Sequence, residues 1–379
     1  MRRPLKTRTL YLVLLMALAI CAAASLLAGD VGVTLADIWH WLRGDASESG
    51  QFYAILFEQI RGPRIVLAAL TGFVLGLSGA AIKGLFRNPL AEPGLLGASN
   101  GAALGAVIVI YLGLASTLSF AVPLAAAGMA LVSVLALLAL AGRGASSLRL
   151  ILAGFAVSAF AGAGIALALN LSPNYFAALE IAFWLLGAVE NRSWLHLGLA
   201  VPGAALGCAL MLATARALDG LALGEEVACS LGISLMRLRL QISIGLALAV
   251  GAVVSVTGVI GFVGLLAPHL VRPFTGALPS KTLLPAGLVG AILLVLADSL
   301  IRLIPTMTEL KLGVLTAFLG VPLLLLLLTR PGASLLSERK NQVTKSSRKM
   351  CPVKGGKREC RAAHGLSAKS TAAPATVSG

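Results

Sequence analysis

Long apolar runs alternate with short polar stretches from the first residues to about position 330, where the pattern stops. A bilayer core about 30 Å thick is crossed by roughly 20 apolar residues of helix. Runs near that length lie at 9–29, 64–86, 94–113, 118–141, 148–171, 195–215, 240–256, 283–303 and 312–329. Nine crossings would leave one basic end of the chain outside, against the bias of Lys and Arg toward the cytoplasm. The shorter segment 256–271, VTGVIGFVGLLAPHLV, supplies a tenth. Both termini are then cytoplasmic, and Arg87, Arg143, Arg149, Arg216, Arg237, Arg239, Arg272 and Lys281 share that side. The outer loops carry Asp30, Asp37, Asp45, Glu48, Glu58, Glu180, Glu190 and Glu309, with Arg43, Arg61 and Arg192 as basic exceptions. The expected fold is all-α: a polytopic membrane protein of about ten transmembrane helices over 9–330, preceded by a basic cytoplasmic N-terminus at 1–8.

Polar interruptions refine this outline. The outer segment TLADIWHWLRG (34–44) spaces its apolar residues as an interfacial helix does, with His40 an interfacial residue rather than a ligand. In RNPLAEPGLLGASNGA (87–102), Pro89 and Pro93 end one helix and delay the next, while Asn88 can cap backbone groups left unpaired. Arg87, Asn88, Pro89 and Pro93 thus form a rigid inner corner, with irregular backbone tolerated where it meets protein or water. GAAIKGLFRNP (79–89) and GVIGFVGLLAP (258–268) both place Pro ten positions after Gly, as in a duplicated bundle. Pro268, His269 and Arg272 are accordingly the expected corner of the second half. Asp298 and Arg302 stand one helical turn apart and can pair. Between the sixth and seventh crossings, ALGEEVACSLGISLMRLR (222–239) is too polar for lipid; Leu221, Leu223, Val227 and Leu231 outline a short amphipathic helix that stops at Gly232. Glu225 and Glu226 on this cytoplasmic segment suit docking to a partner.

Composition narrows the class. The 379 residues are 58% hydrophobic and 12% charged, whereas soluble domains run near 45–50% and 25%, so the chain is an integral membrane protein. Its formal charge of +15 is spread over the N-terminus, short loops and a tail, with no compact basic domain for nucleic acid. The tail, 331–379, is polar and short of aromatics; disorder against anionic lipid is expected. Its Cys351, Cys360 and His364 offer three ligands where structural zinc takes four, so no metal site is expected. The N-terminal run resembles a signal peptide but is long enough to span, and is read as an uncleaved first helix. No phosphate-binding loop, nucleophile elbow or paired-histidine zinc motif occurs in the sequence. Charges in a bilayer centre cost roughly 2.5–3.5 kcal/mol, so the few within spans point to transport rather than to an enzyme.

Six motifs in order carry a resemblance: RGPRIVLAALTGFVLGLSGA, RNPLAEPGLLGASNGA, LALGEEVACSLGISLMRLR, GVIGFVGLLAPHLVR, LADSLIR and ELKLGVLTAFLGVP. Over about 61–330 they resemble the permease subunit of type II ABC importers, the iron-siderophore, haem and cobalamin (FecCD) family. The resemblance implies that fold in the cell inner membrane, a second permease subunit, identical or homologous, and an external substrate-binding protein. It also implies two cytoplasmic ATPases that carry ATP and Mg, with no cofactor in this chain and a metal chelate as cargo. Within 219–239, Leu223, Gly224, Glu225, Glu226, Val227, Ala228, Leu231 and Gly232 resemble the coupling helices that meet the ATPase. Arg61 and Arg64 resemble the basic residues that receive acidic side chains of the binding protein. Lys83 stands where the family commonly has Gln, and ELKLG replaces its usual ELPxG. The stretch AEPGLLGASNGA is very close to the cobalamin importer's version. The rival expectation is an ion-coupled transporter using Asp298 and His269 as carriers.

Overall fold

The structure, a computed structural model, describes residues 7–29, 31–44, 47–115, 120–142, 146–276, 278–304 and 310–329. The N-terminal residues 1–6 and the tail from 330 onward, with its two cysteines and His364, lie outside the described residues. Among the described residues every regular element is helical. Helix α1 (Thr7–Leu27) leads to two short helices, α2 (Leu35–Leu42) and α3 (Glu48–Ile55), and α3 runs through a π-helical stretch (Leu56–Arg61) into α4 (Gly62–Phe86). A 3-10 turn (Pro93–Leu96) precedes α5 (Ala98–Tyr111), followed by α6 (Ala121–Ala141), α7 (Ser147–Asn170), α8 (Tyr175–Leu185) and α9 (Trp194–Ala213). A short pair, α10 (Ala215–Ala222) and α11 (Glu225–Ser230), then leads to α12 (Leu235–Thr257), α13 (Val263–Thr275), α14 (Pro279–Leu303) and α15 (Leu312–Thr329).

Helices α4 and α12 form the centre, buried along most of their lengths, while α1 and α7 lie at the periphery with most of their apolar surface uncovered. A helix apolar on every side belongs inside or against lipid. Small residues bring the central helices together. A Cβ added at Gly72 would lie 2.2 Å from the Gly290 carbonyl oxygen on α14, and one at Gly76 would lie 2.2 Å from that of Ala286. This row lets the α4 and α14 backbones touch, in the manner of small-residue seams in membranes, where burial from water cannot drive helix association.

Among the described residues seven helices, α1, α4, α6, α7, α9, α12 and α14, are long and apolar enough to cross a membrane. At 14 and 13 residues, α5 and α13 reach only about 20 Å at 1.5 Å per residue. Each follows an irregular segment, 87–97 and 258–262 respectively. The expected crossing at 256–271 is therefore the end of α12, an irregular link at 258–262 and a short helix. Helix α8 lies within the expected outer loop, its Ile181 buried against Val107 and Ile110 of α5.

The expected repeat is corrected. Gly79 lies inside α4 and Pro89 beyond its end, whereas Gly258 caps α12 and Pro268 lies inside α13. Pro268, His269 and Arg272 are helical residues and form no corner. The second break is set earlier, by Gly258 (φ +71°) and by Phe262, left-handed at φ +66°. Pro268 has no N–H for the Gly264 carbonyl. That oxygen instead faces α4, where a Cβ on Gly79 would stand 1.9 Å away.

Candidate functional site

At one end of the bundle the segment between α9 and α12 projects as two helices, not the single expected one. Gly224, at φ +127°, turns the chain between α10 and α11. Leu218, Leu221 and Ala228 face inward and are buried, while Leu223 (67% exposed), Val227 and Leu231 (62%) stand out. The stop at Gly232 has the expected form: at φ +79° it donates to the Cys229 carbonyl (2.9 Å), and Ile233 donates to that of Ala228 (3.0 Å). The two glutamates divide. Glu226 is exposed; Glu225 turns inward, accepting from Arg239 Nη2 of α12 (2.8 Å) and from the Ser147 hydroxyl of α7 (3.3 Å). Sequence reasoning did not single out the supporting residues Ser147, Asp219 and Ser280. Asp219 of α10 accepts the N–H of Ser280 at the start of α14 (2.9 Å).

The first corner takes the expected form. Arg87 ends α4 in the left-handed region at φ +50°, and the Asn88 side-chain oxygen accepts the Leu90 N–H at 2.9 Å. Pro89 lies in the turn that follows, and Pro93 opens the 3-10 turn, with its ring against the Gly264 backbone. The Lys83 ammonium donates to the Leu265 carbonyl of α13, joining α4 to the helix beside the second break. Between the two irregular segments lies a cavity of about 460 Å³, lined among others by Glu92, Asn100, Phe155, Ser158, Ala159 and Phe262. Exposed backbone and polar side chains at this depth belong where protein or water can meet them.

The opposite end is held by buried charge. Arg64 Nε donates to Asp298 Oδ1 at 2.9 Å, and Arg302 approaches Oδ2 at 3.1 Å, so the expected Asp298–Arg302 pair is present with Arg64 as a third member. Arg302 also donates to the Ser25 and Ala28 carbonyls (3.0 and 2.9 Å) and to the Ser25 hydroxyl, binding the end of α1 to α14. Arg61 is 4% exposed and donates to the carbonyls of Leu26 and Val31, the latter at 3.0 Å. Both arginines expected to meet the binding protein are therefore turned into the chain, and docking on Arg64 would draw it from Asp298. His269 sits on α13, which leads into the N-terminal end of α14, whereas Asp298 lies near the far end of α14. The two residues of the rival ion-coupled reading are thus separated by most of that helix.

The sequence departures have local partners. Lys311, in place of the usual proline, pairs with Glu190 and lies 5.3 Å over the Phe183 ring, fastening the start of α15 to the segment around α8. Helix α2, over the segment expected at the interface, begins with a capping box between Thr34 and Asp37, and Trp39 and Leu42 are exposed. Among the described residues no group of three His, Cys, Asp or Glu side chains is placed to hold a metal ion.

Comparison with known proteins extends the picture. A model of the FecCD transport family matches residues 16–330. The chain is 39% identical to the ABC transporter permease protein YvrB of Bacillus subtilis (strain 168), over 77% of this chain and 84% of that one. It is 36% identical to the hemin transport system permease protein HmuU of Yersinia pestis, covering 84% and 94% of the two chains. It is 38% identical to the vitamin B12 import system permease protein BtuC of Salmonella typhi, covering 81% and 90%. A solved chain described as an inward-facing conformation of a metal-chelate type ABC transporter superposes with a TM-score of 0.75 at 28% identity, covering 86% of this chain and all of that one.

Proposed function

The chain belongs to the FecCD transport family, and from that premise we propose that it imports a metal chelate of the iron-siderophore, haem or cobalamin kind across the inner membrane. In this reading it works beside a second permease subunit, receives cargo from an external binding protein, and is driven by ATP and Mg on separate ATPases. Both termini face the cytoplasm, as the charge pattern favours. The observation that carries the reading is the coupling surface. Leu223, Val227 and Leu231 are large aliphatic side chains left uncovered on a short polar projection, outside the helices that lipid would cover. Exposed apolar residues grouped on a polar element mark a protein contact. ATPase closure pressed on this surface would rearrange the cavity between the broken segments, admitting cargo from one side and releasing it to the other.

Proteoliposomes containing the permease, the ATPase and the binding protein test this directly. Uptake is expected to require ATP and to survive an uncoupler. Replacing Leu223 and Leu231 with Asp is expected to abolish ATPase association with little change in the permease's own melting temperature, since both side chains are exposed. Uptake by the permease alone, driven by an ion gradient, would overturn the proposal. The ion-coupled alternative is not favoured by the geometry: Asp298 lies between the guanidiniums of Arg64 and Arg302 in a buried place, a structural use of its charge, and a buried pair is strongly destabilised when one partner is neutralised.

A further inference from the structure

The projecting pair α10–α11 is more than a loop with an exposed face; besides the buried Leu218, Leu221 and Ala228, two carboxylates join it to the bundle. Asp219 accepts the Ser280 N–H in the first turn of α14 (2.9 Å), where a negative charge also meets the positive end of the helix dipole. Glu225 accepts from both Arg239 on α12 (2.8 Å) and Ser147, the first residue of α7 (3.3 Å). Ile233, in the link from α11 to α12, packs against Gly220 of α10 so closely that a Cβ on Gly220 would lie 2.3 Å from the Ile233 Cδ1. Force applied at Leu223, Val227 or Leu231 therefore reaches the starts of three helices through directional polar contacts of 2.8 to 3.3 Å. One of those helices, α7, carries Phe155, Ser158 and Ala159 into the cavity wall, beginning about 12 Å along its axis from Ser147.

We propose that Asp219 and Glu225 are positioning residues that transmit ATPase movement from the coupling surface, Asp219 into α14 and Glu225 into α7 and α12. The proposal rests on the coupling reading above. A hydrogen bond to a charged group is stronger than a neutral one, so these contacts tie the motion of the projection to that of the cavity wall. Neutralising them leaves the outer face available to the motor but slackens its connection to the pathway.

The test uses the complete transporter in proteoliposomes, with cargo imported per ATP hydrolysed as the readout. Asp219→Asn and Glu225→Gln together are expected to lower that ratio about fivefold or more, within the usual range of coupling between sites. Exchanging the pair, Glu225→Arg with Arg239→Glu, is expected to recover more of the ratio than either single change, which lost folding alone would not produce. In parallel, Val227→Cys is expected to crosslink to the ATPase in both the unsubstituted and the doubly neutralised background. An unchanged import ratio in the double variant, with the crosslink present, overturns this inference alone. Absence of the crosslink in the unsubstituted background overturns the coupling reading and the inference with it.

Discussion

Asp298 shows how much one side chain can hold. It is 1% exposed and lies between Arg64 on α4 and Arg302 on α14, while Arg302 reaches on to α1. Three helices thus meet at one carboxylate. Removing one partner of a buried ion pair costs about 3–5 kcal/mol, because the remaining charge keeps its desolvation penalty. Asp298→Asn is therefore expected to melt well below the unsubstituted protein in a detergent thermal-shift measurement, whereas Glu226→Gln, on an exposed residue, is expected to leave the melting temperature in place. Part of this cluster was legible: the spacing of Asp298 and Arg302 on one helix announces their pairing. Arg64 was not, since it stands 234 positions from Asp298, and no local pattern relates two residues so far apart. Its place in RGPR on an outer edge suggested a partner outside the chain; the fold supplies one inside it.

Among the elements, close backbone contact between α4 and α14 depends on the absence of side chains. Overfilling a packed interior costs about 1–3 kcal/mol, and sometimes more. Since a Cβ at Gly72 would already overlap the Gly290 backbone, Gly72→Leu is expected to lower both folded yield and melting temperature, while Gly128→Leu, where a Cβ meets nothing within 4 Å, is expected to be tolerated. The long helices were legible from apolar length alone, and the first corner from Asn88 and its two prolines. The second corner was misplaced because proline was taken as the breaking signal. The chain actually breaks at Gly258 and Phe262, and nothing about a phenylalanine advertises left-handed backbone. Helix α8 escaped for a different reason: its 11 residues are too few to register as a span. The helical character of the segment between α9 and α12 was legible from its apolar spacing, but it was drawn as one piece because Gly224 was not read as a turn.

For the molecule as a whole, the cavity joins features that sequence kept apart. Residues from three separate stretches, 92–100, 155–159 and 259–264, contribute to its wall, and they come together only once the two broken segments face α7. Ala159→Trp is expected to fill much of its about 460 Å³, stopping uptake while ATP hydrolysis by the assembled transporter continues; unaltered import would place the route elsewhere. The two ends are held differently, by hydrogen bonds from Asp219 and Glu225 around α10 and α11 and by a buried ionic anchor around Asp298. Arg302 grips α1 chiefly through the main-chain oxygens of Ser25 and Ala28, together with one hydroxyl. A clasp on peptide oxygens is nearly blind to spelling, so the first helix can exchange one greasy letter for another over much of its length and still be moored in the same berth.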